Sequence, residues 1–183
     1  MNMFAKLKHW YLIIILGVMV LMYLNLNRRI DDFEDKLDLA AGTISLQMYD
    51  DLETYSDSFS IPKYIAYNVA YLETHYQGPF DFDYNPYQTS SAGATGPLQI
   101  IPKYAYKFAG RKVSPKELKT NITLNIKISM QMLRAWYNIY HDWTLAAGAY
   151  NTGQPIRNDY ALYVSSNKDY KNKWVKCNVY LED

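Results

Sequence analysis

Three groups of residues have the types and spacing that proton-transfer chemistry needs. The first is Glu73, at the edge of an apolar helical face and close to that helix's C-terminal end. Desolvation beside the face penalises the anion, and the negative end of the helix dipole adds to that penalty. A carboxyl so placed can stay protonated near neutral pH, as a proton donor to a leaving oxygen must. The second group is the run Ser90-Ser91-Ala92-Gly93-Ala94-Thr95-Gly96-Pro97-Leu98-Gln99-Ile100-Ile101-Pro102. Gly93, Ala94 and Gly96 are small enough to let a backbone approach a bulky ligand. Gln99 offers amide donors and an acceptor suited to an acetamido group or a hydroxyl. The third is Ala149-Tyr150-Asn151-Thr152-Gly153. Alone, the first also reads as a solvated glutamate at a helix end and the second as an ordinary tight turn. Together they point to a sugar-cleaving site in which one carboxyl group moves protons.

The surrounding chain reads as helices that would position these groups. Ser60 can cap a helix with Pro62 in its first turn, Ile65, Val69 and Leu72 on one face, and Gly78-Pro79 as its stop. Pro102 opens a second helix that Gly110 closes. Ser114-Pro115-Lys116-Glu117 has capping-box spacing. From about Asn121 to Tyr140 the residues Ile122, Ile126, Ser129, Leu133, Trp136 and Tyr140 form one inward stripe, with Ser129 its polar member. A short helix is expected over Thr144–Tyr150 and a terminal one over Asp169–Leu181, striped by Tyr170, Trp174, Cys177 and Leu181. Strand signals are weak, so the expected fold class is mainly α, a single helical domain with a substrate cleft.

Trp10 to Leu26 is an almost unbroken apolar run with Trp10, Tyr11 and Tyr23 near its ends. Its length and aromatic flanks predict one transmembrane helix through the lipid bilayer. No small-residue cleavage site follows, which favours an uncleaved anchor over a signal peptide. The expected organisation is an anchor over 1–27, a juxtamembrane helix or spacer over 28–58, and the compact domain over 59–183. A structural role for 28–58 inside the domain fits the pattern equally. A formal charge of +1 without a basic block argues against a nucleic-acid partner, and 20% charged with 49% hydrophobic residues argues against a disordered chain. Cys177 is the single cysteine, so no internal disulfide forms, and it reads as a small apolar core residue. His9, His75 and His141 lack ligand spacing, and no metal site is expected. Tyrosine occurs 19 times, which suits either amphipathic packing or a surface that stacks on sugars.

The order and spacing of Glu73-Thr74, Ser90-x-x-Gly93-Ala94-x-Gly96-x-Leu98-Gln99-x-x-Pro102, Asn121-Ile122 and Ala149-Tyr150-Asn151-x-Gly153 resemble the soluble lytic transglycosylase domain over roughly residues 60–165. The resemblance implies the goose-type lysozyme fold of the α+β lysozyme-like superfamily, with peptidoglycan glycan strands as substrate and no cofactor. It implies Glu73 as the single catalytic acid/base. Thr74, Ser90, Gly93, Ala94, Gly96, Gln99, Tyr150 and Asn151 would be binding-site residues, and Tyr163 would match a later family tyrosine. Asn121 would cap or brace the long helix. A wall-cleaving domain must face the wall, so a single-pass membrane protein with its bulk on the extracytoplasmic side is expected. It could serve a bacterium's own envelope, an envelope-spanning secretion or conjugation machine, or a phage virion membrane. The chain departs from the family at Thr74, usually serine, at Pro97, usually leucine, and in an inserted loop, Gly78-Pro79-Phe80-Asp81-Phe82-Asp83-Tyr84. Asp81 or Asp83 could act as the second carboxylate of a hydrolytic muramidase, the nearest alternative. A non-catalytic wall-binding protein is the alternative from another class.

Overall fold

The computed structural model describes residues 15–32 and 43–176. Residues 15–32 form helix α1, whose apolar side chains, Leu16, Met19, Leu21 and Met22 among them, are exposed. Among the described residues no helix is long and apolar enough to cross a membrane. Residues 10–14 of the expected span lie outside them, as do residues 33–42.

A second unit, Gly42–Lys176, carries the remaining described elements. They are α2 (Ile44–Ser58), α3 (Lys63–Thr74), α4 (Pro102–Ala109), α5 (Pro115–Thr120), α6 (Ile122–Tyr140), α7 (Trp143–Thr152), α8 (Asp159–Ser166) and the 3-10 turn η1 (Tyr170–Lys173). The unit is mainly helical, as expected. Its axis is α6, which packs against α2, α4, α5 and α7; α7 packs on α8, α8 on α3, and α3 on α2. The inward stripe of α6 behaves as its period requires, with Ile122, Ile126, Ser129 and Leu133 buried.

The expected boundary near residue 59 moves. Met48 and Leu52 of α2 are fully buried in the same core as Ile65, Val69 and Leu133. Residues 44–58 therefore form a wall of the compact unit rather than a spacer. Truncating either side chain to alanine would cost about 2–5 kcal/mol.

Side-chain caps start several helices, at Ser114 and Asn121 where the sequence places them and at Asn158 where it does not. Ser114 Oγ accepts from the Glu117 N–H at 3.1 Å, Asn121 Oδ1 from the Leu124 N–H at 2.9 Å, and Asn158 Oδ1 from the Ala161 N–H at 2.9 Å. Pro102 and Gly110 bound α4 as expected. The start of α3 differs. Ser60 has a left-handed backbone (φ 51°), and Pro62 occupies the cap position without a side-chain bond. The helix also stops earlier, at Thr74, because His75 turns left-handed (φ 61°). Gly78 instead makes room for a neighbouring ring, since a Cβ there would lie 2.7 Å from Trp174 Cγ.

That contact also explains why no terminal helix develops across Asp169–Trp174. The Tyr170 and Trp174 rings pack on Tyr67, with centroids 5.0 and 5.2 Å away. Trp174 is extended, and the Val175 N–H bonds to the Gln77 carbonyl at 2.7 Å. Packing two large, partly buried rings on Tyr67 outweighs continuing a solvated helix. Cys177 and Leu181 lie outside the described residues.

Candidate active site

Asn125 builds the floor of the glycine-rich loop. It is fully buried on α6. Its Nδ2 donates to the carbonyls of Thr95 at 3.0 Å and Leu118 at 2.9 Å, and its Oδ1 accepts from the Leu98 N–H at 3.1 Å. A buried amide with all three bonds made fixes whatever it holds. The loop closes over it through paired backbone bonds between Thr95 and Ile100, at 2.9 and 3.1 Å, and from the Gly96 N–H to the Gln88 carbonyl at 3.1 Å. Gly96 is left-handed (φ 79°), and a Cβ there would stand 2.4 Å from both Asn125 Nδ2 and the Leu118 carbonyl oxygen. The small residue serves packing onto Asn125 rather than approach of a ligand.

Two further bonds fasten the loop. The Tyr150 hydroxyl, from α7, donates to the Leu98 carbonyl at 2.6 Å and lies 3.1 Å from Ser129 Oγ, which accounts for the polar member of the α6 stripe. The Thr74 hydroxyl, next to Glu73, donates to the Pro97 carbonyl at 2.8 Å and pairs with the Tyr84 hydroxyl at 2.7 Å. Thr74 is only 3% exposed, so it braces the site from behind and offers no surface to a substrate.

Above the loop lies a cleft of about 610 Å³. Glu73, Ser90, Ala94, Gln99, Tyr150 and Asn151, drawn from α3, the loop and α7, all line it. Tyr104 and Phe108 of α4 and Trp136 of α6 supply aromatic surface. Glu73 is the only carboxylate among the described lining residues, and Lys107 the only cation. Asp81 and Asp83 do not line it. Gly93 also lies off the wall, at a left-handed turn (φ 80°) closed by the Ser90 N–H on the Ala94 carbonyl at 2.8 Å. Gln99 is itself left-handed (φ 48°) and donates one amide hydrogen to the Gly96 carbonyl at 2.9 Å. Asn151 Oδ1 accepts from Asn158 Nδ2 at 3.2 Å.

Glu73 occupies the penultimate position of α3. Burial pushes its pKa up to about 7, and a hydrogen bond from the Tyr160 hydroxyl, 2.6 Å from Oε1, pulls the other way. Desolvation outweighs that single bond. Burial raises the Tyr150 and Tyr160 phenols well above their ordinary value, so both remain neutral donors. The carboxyl is thus held at the balance point between acid and base.

The tyrosine hydrogen-bonded to Glu73 is Tyr160, which no motif in the sequence singles out. Tyr163 stacks on Tyr71, ring centroids 6.1 Å apart, and does not line the cleft. Both residues sit on α8, an element that the short apolar pattern after Gly153 does not announce. Without the helix register, two tyrosines three positions apart cannot be told apart. Nor does residue type single out Asn125, although it lies between Ile122 and Ser129 on the buried side of α6, where a polar residue must find partners.

The model of the transglycosylase SLT domain matches residues 52–173. That is two-thirds of the chain, and it runs from inside α2 to the end of η1. The chain belongs to the SLT transglycosylase family. No curated protein and no solved structure matches it. Membership makes the protein a peptidoglycan lytic transglycosylase, a lyase that breaks glycosidic bonds, and makes the wall polymer its substrate.

The Tyr160–Glu73 bond should be visible in the pH dependence of such an enzyme. A donor on a carboxylate favours the anion, by about 1–2 pKa units where the bond is worth about 1.5–3 kcal/mol. Tyr160→Phe should therefore raise the Glu73 pKa, and, where Glu73 is the proton donor, the alkaline limb of kcat/KM should move upward by about one unit. A pH–rate series on solubilised wall reads it.

Proposed function

We propose that Glu73 is the sole acid/base of this transglycosylase and that the reaction ends in a 1,6-anhydro-N-acetylmuramic acid product. Protonated Glu73 donates its proton to the glycosidic oxygen between N-acetylmuramic acid and N-acetylglucosamine, and the C1–O bond breaks. Oxocarbenium character at C1 is stabilised by the acetamido group or by local dipoles. Carboxylate Glu73 then takes the proton from the sugar's C6 hydroxyl while O6 bonds to C1. One proton leaves the carboxyl and one returns, and no water is consumed. Tyr160 holds the carboxyl in place and stabilises it when charged.

The observation that carries this reading is a lone carboxyl, shifted to about 7, in a cleft whose other described lining residues include no acid. A hydrolytic glycosidase uses a second carboxylate to activate water or to attack the sugar. Asp81 and Asp83 do not line the cleft, which disfavours the muramidase alternative. Mass spectrometry of wall digested by the purified protein tests it: anhydro ends are expected, and reducing ends would mark a hydrolase.

The wider role follows from the N-terminus. The apolar run 10–26 and the exposed apolar side chains of α1 support a bilayer anchor, and the wall-cleaving chemistry itself requires the domain on the wall-facing side. The reading is a tethered cutter that opens the wall locally, for phage entry or for an envelope-spanning machine. Release from membranes by detergent, and not by high salt or alkaline carbonate, is the expected fractionation.

A further inference from the structure

Helices α3 and α8 carry the two halves of the Glu73–Tyr160 pair, and a second bolt joins them one to two turns away. Asn68 of α3 is 1% exposed. Its Nδ2 donates to the carbonyls of Val164 at 3.1 Å and Asn167 at 2.7 Å, and its Oδ1 accepts from Asn167 Nδ2 at 2.9 Å. Every hydrogen-bonding hydrogen of the amide is used. Val164 and Asn167 are at the C-terminal end of α8, where carbonyls lack intrahelical partners. Asn68 therefore supplies from another helix a cap that α8 needs.

The spacing matters. Asn68 to Glu73 is ~7.5 Å of rise along α3, and Tyr160 to Val164 is ~6 Å along α8. Because Asn68 meets Val164 while Glu73 meets Tyr160, the two bolts cross-link antiparallel helices over nearly equal lengths. A helix fixed at its far end by a buried three-bond amide cannot rotate or slide enough to withdraw a phenol from a bond of 2.6 Å. We infer that Asn68, with Asn167, is a positioning residue of the reaction: it sets the register of α8 and so holds the Tyr160 hydroxyl on Glu73. This rests on Glu73 being the acid/base. No part of the Asn68 amide reaches the cleft lining, so its effect is indirect.

The groups that face Glu73 are Tyr160 from α8 and Tyr150 from α7, and Lys107 of α4 lines the same cleft. None of them is hydrogen-bonded to Asn68, whose partners are Val164 and Asn167, so a change there reaches Glu73 only through the position of Tyr160. The test is the carboxyl titration of Glu73, followed by ¹³C NMR of the glutamate-labelled full chain, with the alkaline limb of kcat/KM alongside. Asn68→Ala, Tyr160→Phe and the double variant are compared with the wild type. Both single variants should move the Glu73 titration upward, and Asn68→Ala should add nothing in the Tyr160→Phe background. An unmoved titration in Asn68→Ala, with lowered thermal stability alone, would reduce Asn68 to a structural role and overturn the inference; so would two shifts that simply add. If Asn68→Ala does not fold, Asn167→Ala removes only the third bond, and a smaller shift of the same sign is expected; no shift again overturns it. The NMR readout needs no turnover, so a failure of the inference is separable from a failure of the Glu73 assignment.

Discussion

Replacing Glu73 by glutamine should remove wall cleavage and leave the fold intact. General acid–base catalysis contributes about 10²–10⁴-fold, and in the proposed reaction one residue performs both proton transfers, so kcat should fall by at least about that factor. Glutamine keeps the shape and can still accept the Tyr160 hydrogen bond. Stability should move the other way. The Glu73 pKa rises from 4.5 to about 7 on folding. The folded state therefore holds a proton that the unfolded chain has lost across that interval. By linkage the contribution of this group is fully present below pH 4.5 and is lost as pH rises through about 7. At about 1.4 kcal/mol per pKa unit the loss approaches ~3 kcal/mol. Glu73→Gln does not titrate. Compared with the wild type, it should gain stability on going from pH 4 to pH 8, by up to ~3 kcal/mol. Chemical denaturation at the two pH values, beside turnover of purified wall, checks both halves of the expectation.

Gly96→Ala should be the most damaging change in the loop. A non-glycine residue at left-handed φ costs about 1–2 kcal/mol. The added Cβ would also overlap the Leu118 carbonyl and Asn125 Nδ2, each 2.4 Å away. Neither can retreat, since Leu118 is backbone and Asn125 is committed to three bonds. A total of about 3 kcal/mol or more is expected, enough to lower Tm by about 10 °C. Gly93→Ala is the internal comparison. Gly93 is also left-handed, but nothing lies within 4 Å of its Cβ position, so only the backbone strain applies. Thermal melts of the two variants should differ clearly. Wall cleavage by Gly96→Ala should fall with its stability, because the same shift displaces Leu98 and Gln99.

The helices of the site were legible where local chemistry decides them. Ser114, Asn121 and Gly110 cap as their types require, and the 3.6-residue stripe of α6 lies on the core. Glu73 could be placed at a helix end beside an apolar face because both features are local. What could not be read depends on tertiary partners. The end of α3 is set by His75 adopting a left-handed backbone, an outcome that Gly78-Pro79 made look unnecessary. The terminal stripe of Tyr170 and Trp174 is real, but it serves packing on Tyr67 rather than a helix. Tyr160, Asn125 and Asn68 act through partners on other helices, and residue type alone does not reveal such a partner. The role expected of Gly96 failed for the same reason: a small residue can admit a ligand or a buried amide, and only the neighbour distinguishes them.

The proposed chemistry stands on the protonation state of one carboxyl. ¹³C NMR titration of Glu73 in the wild-type protein measures it without substrate or turnover. A midpoint near 7 is expected. A midpoint near the ordinary glutamate value of 4.5 would mean that the carboxyl is ionised throughout the working range and cannot donate the proton on which the proposed reaction depends.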